Sequence, residues 1–242
     1  MESQNVELLK VVTWNCNGAF RKKFLKISEL GADIYVIQEC EDPLRSNHPE
    51  YQTWAKNHLW IGDTKNKGLG IFAREEVKIE LLDWSNYYLD HPVKYFLPCK
   101  VNDDFNLVSV WAHQNNSPNF GYIGQVWKYL KINKLLLKDA FIIGDFNSNA
   151  IWDQWDRWWN HSDVVREFEE LGLKSFYHQS AKEDQGKEST PTFYFRKNEE
   201  RVYHIDYIFG PERYIPNLLK IEIGKKQDWL EYSDHMPVLC HY

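Results

Sequence analysis

Five short segments of this 242-residue chain end in side chains that bind metal or move protons. They are Trp14-Asn15-Cys16-Asn17-Gly18, Ile37-Gln38-Glu39, Gly144-Asp145-Phe146-Asn147, His204-Ile205-Asp206-Tyr207 and Ser233-Asp234-His235. Four of the five follow or lie in an apolar, strand-like run. Strands of one sheet bring sequence-distant ends together. Carboxylates, amides and imidazoles gathered at one sheet edge would make a site for a hard divalent cation and a phosphate.

Each group has a chemical use and a plainer one. Glu39 closes the apolar run Tyr35-Val36-Ile37-Gln38, where a carboxylate is either a ligand for Mg2+ or an ion-paired cap. Asp145 and Asn147 stand two apart after Phe141-Ile142-Ile143, so an extended backbone points both to one side. An anion and an amide there suit water orientation and contact with a phosphate oxygen; an Asx-turn is the alternative. Asp206 on one strand can accept the ring N–H of His235 from another, fixing its tautomer and stabilising the imidazolium. His113, after Val108-Ser109-Val110-Trp111-Ala112, is a second imidazole at a strand end. Asn15 and Asn17 flank Cys16; one would fix Glu39 and the other support metal-bound water.

Those positions demand a scaffold of many strands. The pattern predicts strands over residues 8–14, 33–38, 68–73, 94–101, 105–112, 140–143, 192–195, 202–209, 220–223 and 237–240. It predicts helices over 22–30, 124–137 and 164–171, with Gly31 and Gly172 as stops. Asn102-Asp103-Asp104 reads as a hairpin loop, and the charged stretch 181–190 as a mobile surface loop. No composition shift marks a linker, so residues 1–242 read as a single domain. Strands with intervening helices and a central hairpin favour a mixed sheet sandwich with helices outside.

Composition narrows the partners. The net charge is −6, which disfavours tight nonspecific duplex binding through lysine and arginine alone. A local basic patch or a bound metal can still reverse the field at a site. Aromatics make up 16% of the chain, enough for bulky core layers or a stacking surface. Cys16, Cys40, Cys99 and Cys240 form no C-x-x-C pair and read as buried, reduced thiols of a cytoplasmic protein. Met1–Asn5 is polar, and no stretch approaches a membrane span in length.

In order along the chain, Trp14-Asn15, Gln38-Glu39, His113, Gly144-Asp145-Phe146-Asn147, Ile205-Asp206-Tyr207 and Ser233-Asp234-His235 resemble the motifs of the endonuclease/exonuclease/phosphatase superfamily. The resemblance implies an α/β fold, a four-layer α/β/β/α sandwich of two packed mixed sheets with helices on the outer faces. It implies divalent-metal-dependent phosphoester hydrolysis, with Mg2+ or Mn2+ as cofactor. Carried over position by position, Glu39 is the principal metal ligand, with Asp234 and Asn17 completing the metal environment. Asp145 would orient or deprotonate the attacking water, and Asn147 would hold a phosphate oxygen. His235, supported by Asp206, would bind or protonate the phosphate. His113 matches the histidine of the DNase and phosphatase branches, and Asn15 joins the substrate-binding set. Asn17 departs from the pattern, because several nucleases of the family carry Asp there. A single-metal site centred on Glu39 follows.

The substrate is less determined. Trp152, Trp155, Trp158 and Trp159 follow the Asp145 segment closely, as a buried element or as an aromatic wall for base stacking. Arg157 and His161 among them could meet phosphate, as could Arg21-Lys22-Lys23. A nuclease acting on DNA or RNA, single strands or ends included, leads. A phosphatase or phosphodiesterase acting on a small nucleotide, inositol phosphate or lipid head group follows, and a silent binding module comes last.

Overall fold

A computed structural model describes residues 9–115, 117 and 119–242. The expected polar segment Met1–Asn5 and the first residue of the first expected strand lie outside the described residues. Along the chain run β1 (Lys10–Asn15), α1 (Phe24–Ser28), β2 (Ile34–Cys40), α2 (Pro49–Trp54), β3 (His58–Thr64) and β4 (Lys67–Ala73). Then come β5 (Ile79–Leu81), the small hairpin β6 (Tyr87–Tyr88) and β7 (His91–Pro92), β8 (Phe96–Val101), β9 (Phe105–Trp111), α3 (Ile123–Leu137) and β10 (Ala140–Asp145). The later elements are α4 (His161–Glu170), β11 (Leu173–Ser175), α5 (Phe176–Ala181), β12 (Phe193–Tyr194), β13 (Val202–Tyr203), β14 (Asp206–Pro211), β15 (Lys220–Ile223), α6 (Lys226–Trp229) and β16 (Val238–His241).

Two six-stranded sheets carry the fold, in the orders β15-β16-β1-β2-β4-β3 and β11-β14-β10-β9-β8-β5. Each is mixed: β1–β2 and β9–β10 are parallel, the other pairs antiparallel. The parallel pairs are the ones joined through helices, α1 in the first sheet and α3 in the second. Strand alternation sorts the apolar side chains into three layers. Val11, Ile34, Val36, Phe141, Ile143 and Ile208 fill the space between the sheets. Val12, Trp14, Tyr35 and Ile37 point the other way, onto Phe24 and Ile27 of α1, Tyr51 of α2 and Trp229 of α6. Ile142, Tyr207 and Phe209 meet Val126 and Leu130 of α3 and Phe168 of α4. Helix, sheet, sheet, helix is therefore the layer order.

The structure corrects several expectations. The helix expected over 22–30 starts as a 3-10 turn, Phe20–Lys22; Lys23 is non-helical, and α1 proper is five residues long. The strand expected over 202–209 breaks before Asp206, because the amides of Ile205 and Asp206 both donate to Thr192 Oγ1, at 3.0 and 3.1 Å. The stretch 181–190 is tied down rather than free. The Glu188 side chain is buried there and accepts from Asn149 Nδ2 at 3.1 Å and from the Gly186 amide at 2.9 Å, with His178 Nε2 at 3.0 Å. All four cysteines are buried and unpaired, as expected. No helix among the described residues is long and apolar enough to cross a membrane.

Candidate active site

Asp145 ends β10 and Asp206 begins β14, and the two face each other in the antiparallel register. The sheet thus places two carboxylates side by side. Gly144 makes this possible: its φ is 147°, and a Cβ there would lie 1.9 Å from the Val110 carbonyl oxygen. No other residue fits between β10 and β9 at that point. Asn147 turns into the left-handed region, φ 46°, which brings its side chain back. Its Nδ2 donates to Asp145 Oδ2 at 3.0 Å and to the Ala112 carbonyl at 3.0 Å, while its backbone N–H donates to Asp145 Oδ1 at 2.8 Å.

The other half comes from the first sheet. Glu39 sits in a bulge of β2, where Gln38 pairs with Leu69 and Cys40 with Gly68, and its φ is 63°. A bulge re-aims one side chain out of the strand's alternation. Glu39 is thereby freed from the core, and Lys67 Nζ lies 2.6 Å from its Oε2. Asn15 joins the two halves. Its Nδ2 donates to Asp145 Oδ2 at 2.9 Å and more distantly to Glu39 Oε1 at 3.4 Å, while its Oδ1 accepts from Asn17 N at 3.0 Å. Asn17 Nδ2 in turn donates to Asp234 Oδ1 at 3.0 Å.

The segment Ser233–His235 is bound to β1. Ser233 Oγ donates to the Asn15 carbonyl at 2.7 Å and accepts from His235 N at 3.0 Å, and Trp14 Nε1 donates to the His235 carbonyl at 2.9 Å. These bonds drive the imidazole toward the second sheet. There His235 Nδ1 lies 3.1 and 3.0 Å from Asp206 Oδ1 and Oδ2, and the Phe193 ring covers it at a centroid distance of 4.5 Å. One ligand atom each from Asp145, Asp206 and His235 falls within 4.8 Å of the others.

Electrostatics follow from that packing. Burial raises the Asp145 pKa, against the pull of His235. For His235, burial alone would disfavour the cation, but the carboxylates of Asp206 and Asp145 outweigh it and raise the pKa. An imidazole held between two acids is well placed to keep a proton.

Glu39, Asp234 and Asn17, the residues expected to hold metal, could seat a hard cation at the same edge. Glu39 and Asp234 are oxygen donors, and the amide bridge through Asn15 and Asn17 links them to one edge. Lys67 already marks the Glu39 carboxylate as a seat for positive charge. Oxygen ligands with one or two carboxylates, completed by water and phosphate, are the donor set Mg2+ takes. Asn15 aims its N–H groups at the acids, so it orients them rather than ligating.

Other expected residues are placed differently. His113 lies exposed at the rim, its Nδ1 accepting from Asn115 N at 3.1 Å and its ring beside Trp111 and Tyr95. Arg157 spends its guanidinium on the loop: Nε donates to Asn160 Oδ1 at 2.7 Å and Nη2 to the Trp152 carbonyl at 3.1 Å. It also lines a recess shared with Asn147. His161 cannot meet phosphate; it is buried against Tyr207, with Nε2 on Gln185 Oε1. Arg21 and Lys23 are engaged within the fold, on Glu41 and on the Cys16 carbonyl. Sequence reasoning misses Lys67, Thr192, Phe193 and the Glu188–Asn149 contact, because each is set by packing between distant loops.

The sheet pair and the acid–amide–imidazole edge between them define a phosphoesterase hydrolase. The chain belongs to the Endonuclease/Exonuclease/phosphatase family, whose model matches residues 12–235. Among solved structures, it resembles the 3′-5′ exonuclease NExo from Neisseria meningitidis, with TM-score 0.69 and 20% identity over 96% of this chain and 98% of that one. The same figures hold for a variant of the 3′ phosphatase NExo from Neisseria bound to product DNA hairpin. An AP endonuclease from Archaeoglobus fulgidus gives TM-score 0.68 and 19% identity, covering 96% and 98%. At these identities the likeness is one of fold. No curated protein matches the sequence.

Proposed function

We propose that this chain, as one domain over residues 1–242, is a Mg2+-dependent nuclease that cleaves DNA or RNA by in-line attack of water. The observation that carries the reading is the Asn15 amide standing between Asp145 and Glu39, which ties a water-orienting acid to a cation-seeking one. Glu39 would hold the metal with Asp234 and Asn17, and Mn2+ would serve in its place. A metal held there would supply Lewis-acid stabilisation of the charge that develops on the phosphate. Asp145, raised by burial, takes up the water proton; Asn147 and Asn15 fix its carboxylate. His235, kept charged by Asp206, donates to the phosphate as negative charge builds. His113 at the rim contacts the substrate. Structural neighbours described as an exonuclease, a 3′ phosphatase bound to a DNA hairpin and an AP endonuclease support nucleic acid as substrate. Four buried unpaired thiols support a cytoplasmic setting.

The 3′ phosphatase among these neighbours favours one second reading, release of phosphate from a monoester. A single panel separates the two. Purified protein with Mg2+ is incubated with labelled single-stranded DNA, duplex DNA, RNA and small phosphoesters, with Asp145→Asn as control. A metal-dependent ladder on polymers supports the nuclease. Phosphate release from small esters alone supports the phosphatase, and no turnover by either route overturns both.

A further inference from the structure

Two recesses flank Trp152, and both are lined by Trp152 and Asn147. The first, about 380 Å³, is walled by Phe193, Phe195 and Tyr203, with Arg201 at its side. The second, about 270 Å³, is more polar, with Gln114, Gln154 and Arg157. The indole between them is 41% exposed, and its ring lies 4.9 Å from that of Tyr203.

This ring is held in place by its backbone. Asn149 Oδ1 accepts from Ile151 N at 3.1 Å, while Asn149 Nδ2 is anchored on Glu188 and on the His204 carbonyl. Arg157 grips the Trp152 carbonyl from the other side. Positive charge gathers at the aromatic recess although the chain is acidic overall: the guanidinium groups of Arg196 and Arg201 stand 5.2 and 5.8 Å from the Phe195 ring centroid.

We propose that Trp152 is a stacking platform that selects unpaired nucleotides, with the bases on either side of the cleaved phosphate lodged in separate recesses. In a duplex, neighbouring bases stack directly on each other and leave no space for an indole. A single strand can splay its bases onto aromatic faces, whatever its sequence. Asn147, common to both recesses, is hydrogen-bonded to Asp145, so the intervening phosphate would lie beside that carboxylate. The ligand class is single-stranded polynucleotide. The inference rests on the phosphoesterase reading for the location of the scissile bond, but its test does not require turnover.

Binding is measured in EDTA by fluorescence anisotropy, using one labelled oligodeoxynucleotide as single strand and as blunt duplex. The wild-type protein should bind the single strand more tightly. Trp152→Ala should weaken that binding by roughly 5- to 100-fold, the worth of one base stack, and Trp152→Phe should restore most of it. A 2-aminopurine flanking the bound phosphate should be quenched on wild-type protein, a readout independent of any variant's folding. Equal affinities for wild type and Trp152→Ala, a preference for the duplex, or an unquenched 2-aminopurine would overturn the proposal. Hydrolysis of bis(4-nitrophenyl) phosphate by the wild-type protein in Mg2+ is read in parallel. If wild type hydrolyses no ester yet shows the expected binding, the platform stands and the nuclease reading falls.

Discussion

The imidazole of His235 and the carboxylate of Asp206 meet across the seam between the two sheets, Nδ1 lying 3.0 Å from Oδ2. The segment that carries His235 is bound to the first sheet and Asp206 lies in the second, so the pair exists only when the two sheets are docked.

The pair should act as a unit. Asp206→Asn is expected to lower kcat by roughly 10²–10⁴-fold, the range for a positioned acid–base group. His235→Ala should cost at least as much, and the double variant little more than His235→Ala alone. Steady-state kinetics on one oligonucleotide would check this; multiplicative losses would show that the two residues act independently.

In the proposed site Lys67 would compete with divalent metal for Glu39. The Lys67 side chain is half exposed, so the pair is weak, at most about 1 kcal/mol. Lys67→Ala should therefore tighten Mn2+ binding by up to roughly fivefold, while Glu39→Ala should weaken it far more. Calorimetric titration reads both directly. Looser binding in Lys67→Ala would contradict the competition.

Gly144→Ala places a methyl group against the Val110 carbonyl. The expected loss is about 2–3 kcal/mol of stability, together with reduced activity as Asp145 shifts. A denaturant midpoint equal to wild type would show that β10 accommodates the side chain.

Removing Glu188 strips partners from His178, Asn149 and the Gly186 amide in a buried setting. Glu188→Ala should cost at least about 2 kcal/mol. Limited proteolysis should then cut near the Trp152 turn in the variant and spare that turn in the wild type. An intact turn in the variant would show that Arg157 suffices.

Acid should weaken the fold in two windows. Burial lowers the His161 pKa to about 4, so the unfolded chain takes up a proton first, and stability falls from pH about 6.5 down toward 4. Glu188 is also lowered, to about 2: burial opposes this, but donors from His178, Gly186 and Asn149 prevail. Its contribution is complete above its unfolded value and is lost as pH falls through the folded one. Urea unfolding of His161→Phe across this pH range should show a shallower fall of stability in the upper window alone. An unchanged fall would assign the acid sensitivity elsewhere.

The parts of the fold legible in the sequence are those set by local pattern. Val11-Val12, Tyr35-Val36-Ile37 and Phe141-Ile142-Ile143 announce strands buried on both faces, and the Asn102-Asp103-Asp104 turn appears where expected. The length of α1 is overestimated from sequence because an apolar period cannot register the reset at Lys23. At the site, the strand-end acids are visible as interruptions of apolar runs. The bulge that turns Glu39, the Lys67 beside it and the Thr192 hydroxyl that ends the ladder before Asp206 are not, since each depends on a partner from elsewhere in the chain. The charged stretch around Glu188 reads as solvated because its charge is satisfied by residues remote in sequence.

The left-handed kink at Glu39 has a reach beyond the single carboxylate. It removes one residue from the β2–β4 ladder, so the strand beyond it is offset by one position against its neighbour. Straightening the kink, by deleting Gln38 or Cys40, would return the carboxylate to the strand's alternation and leave the residues beyond it paired with β4 as before. Such a chain would keep its layers and lose the proposed cation seat, separating architecture from activity in a single edit.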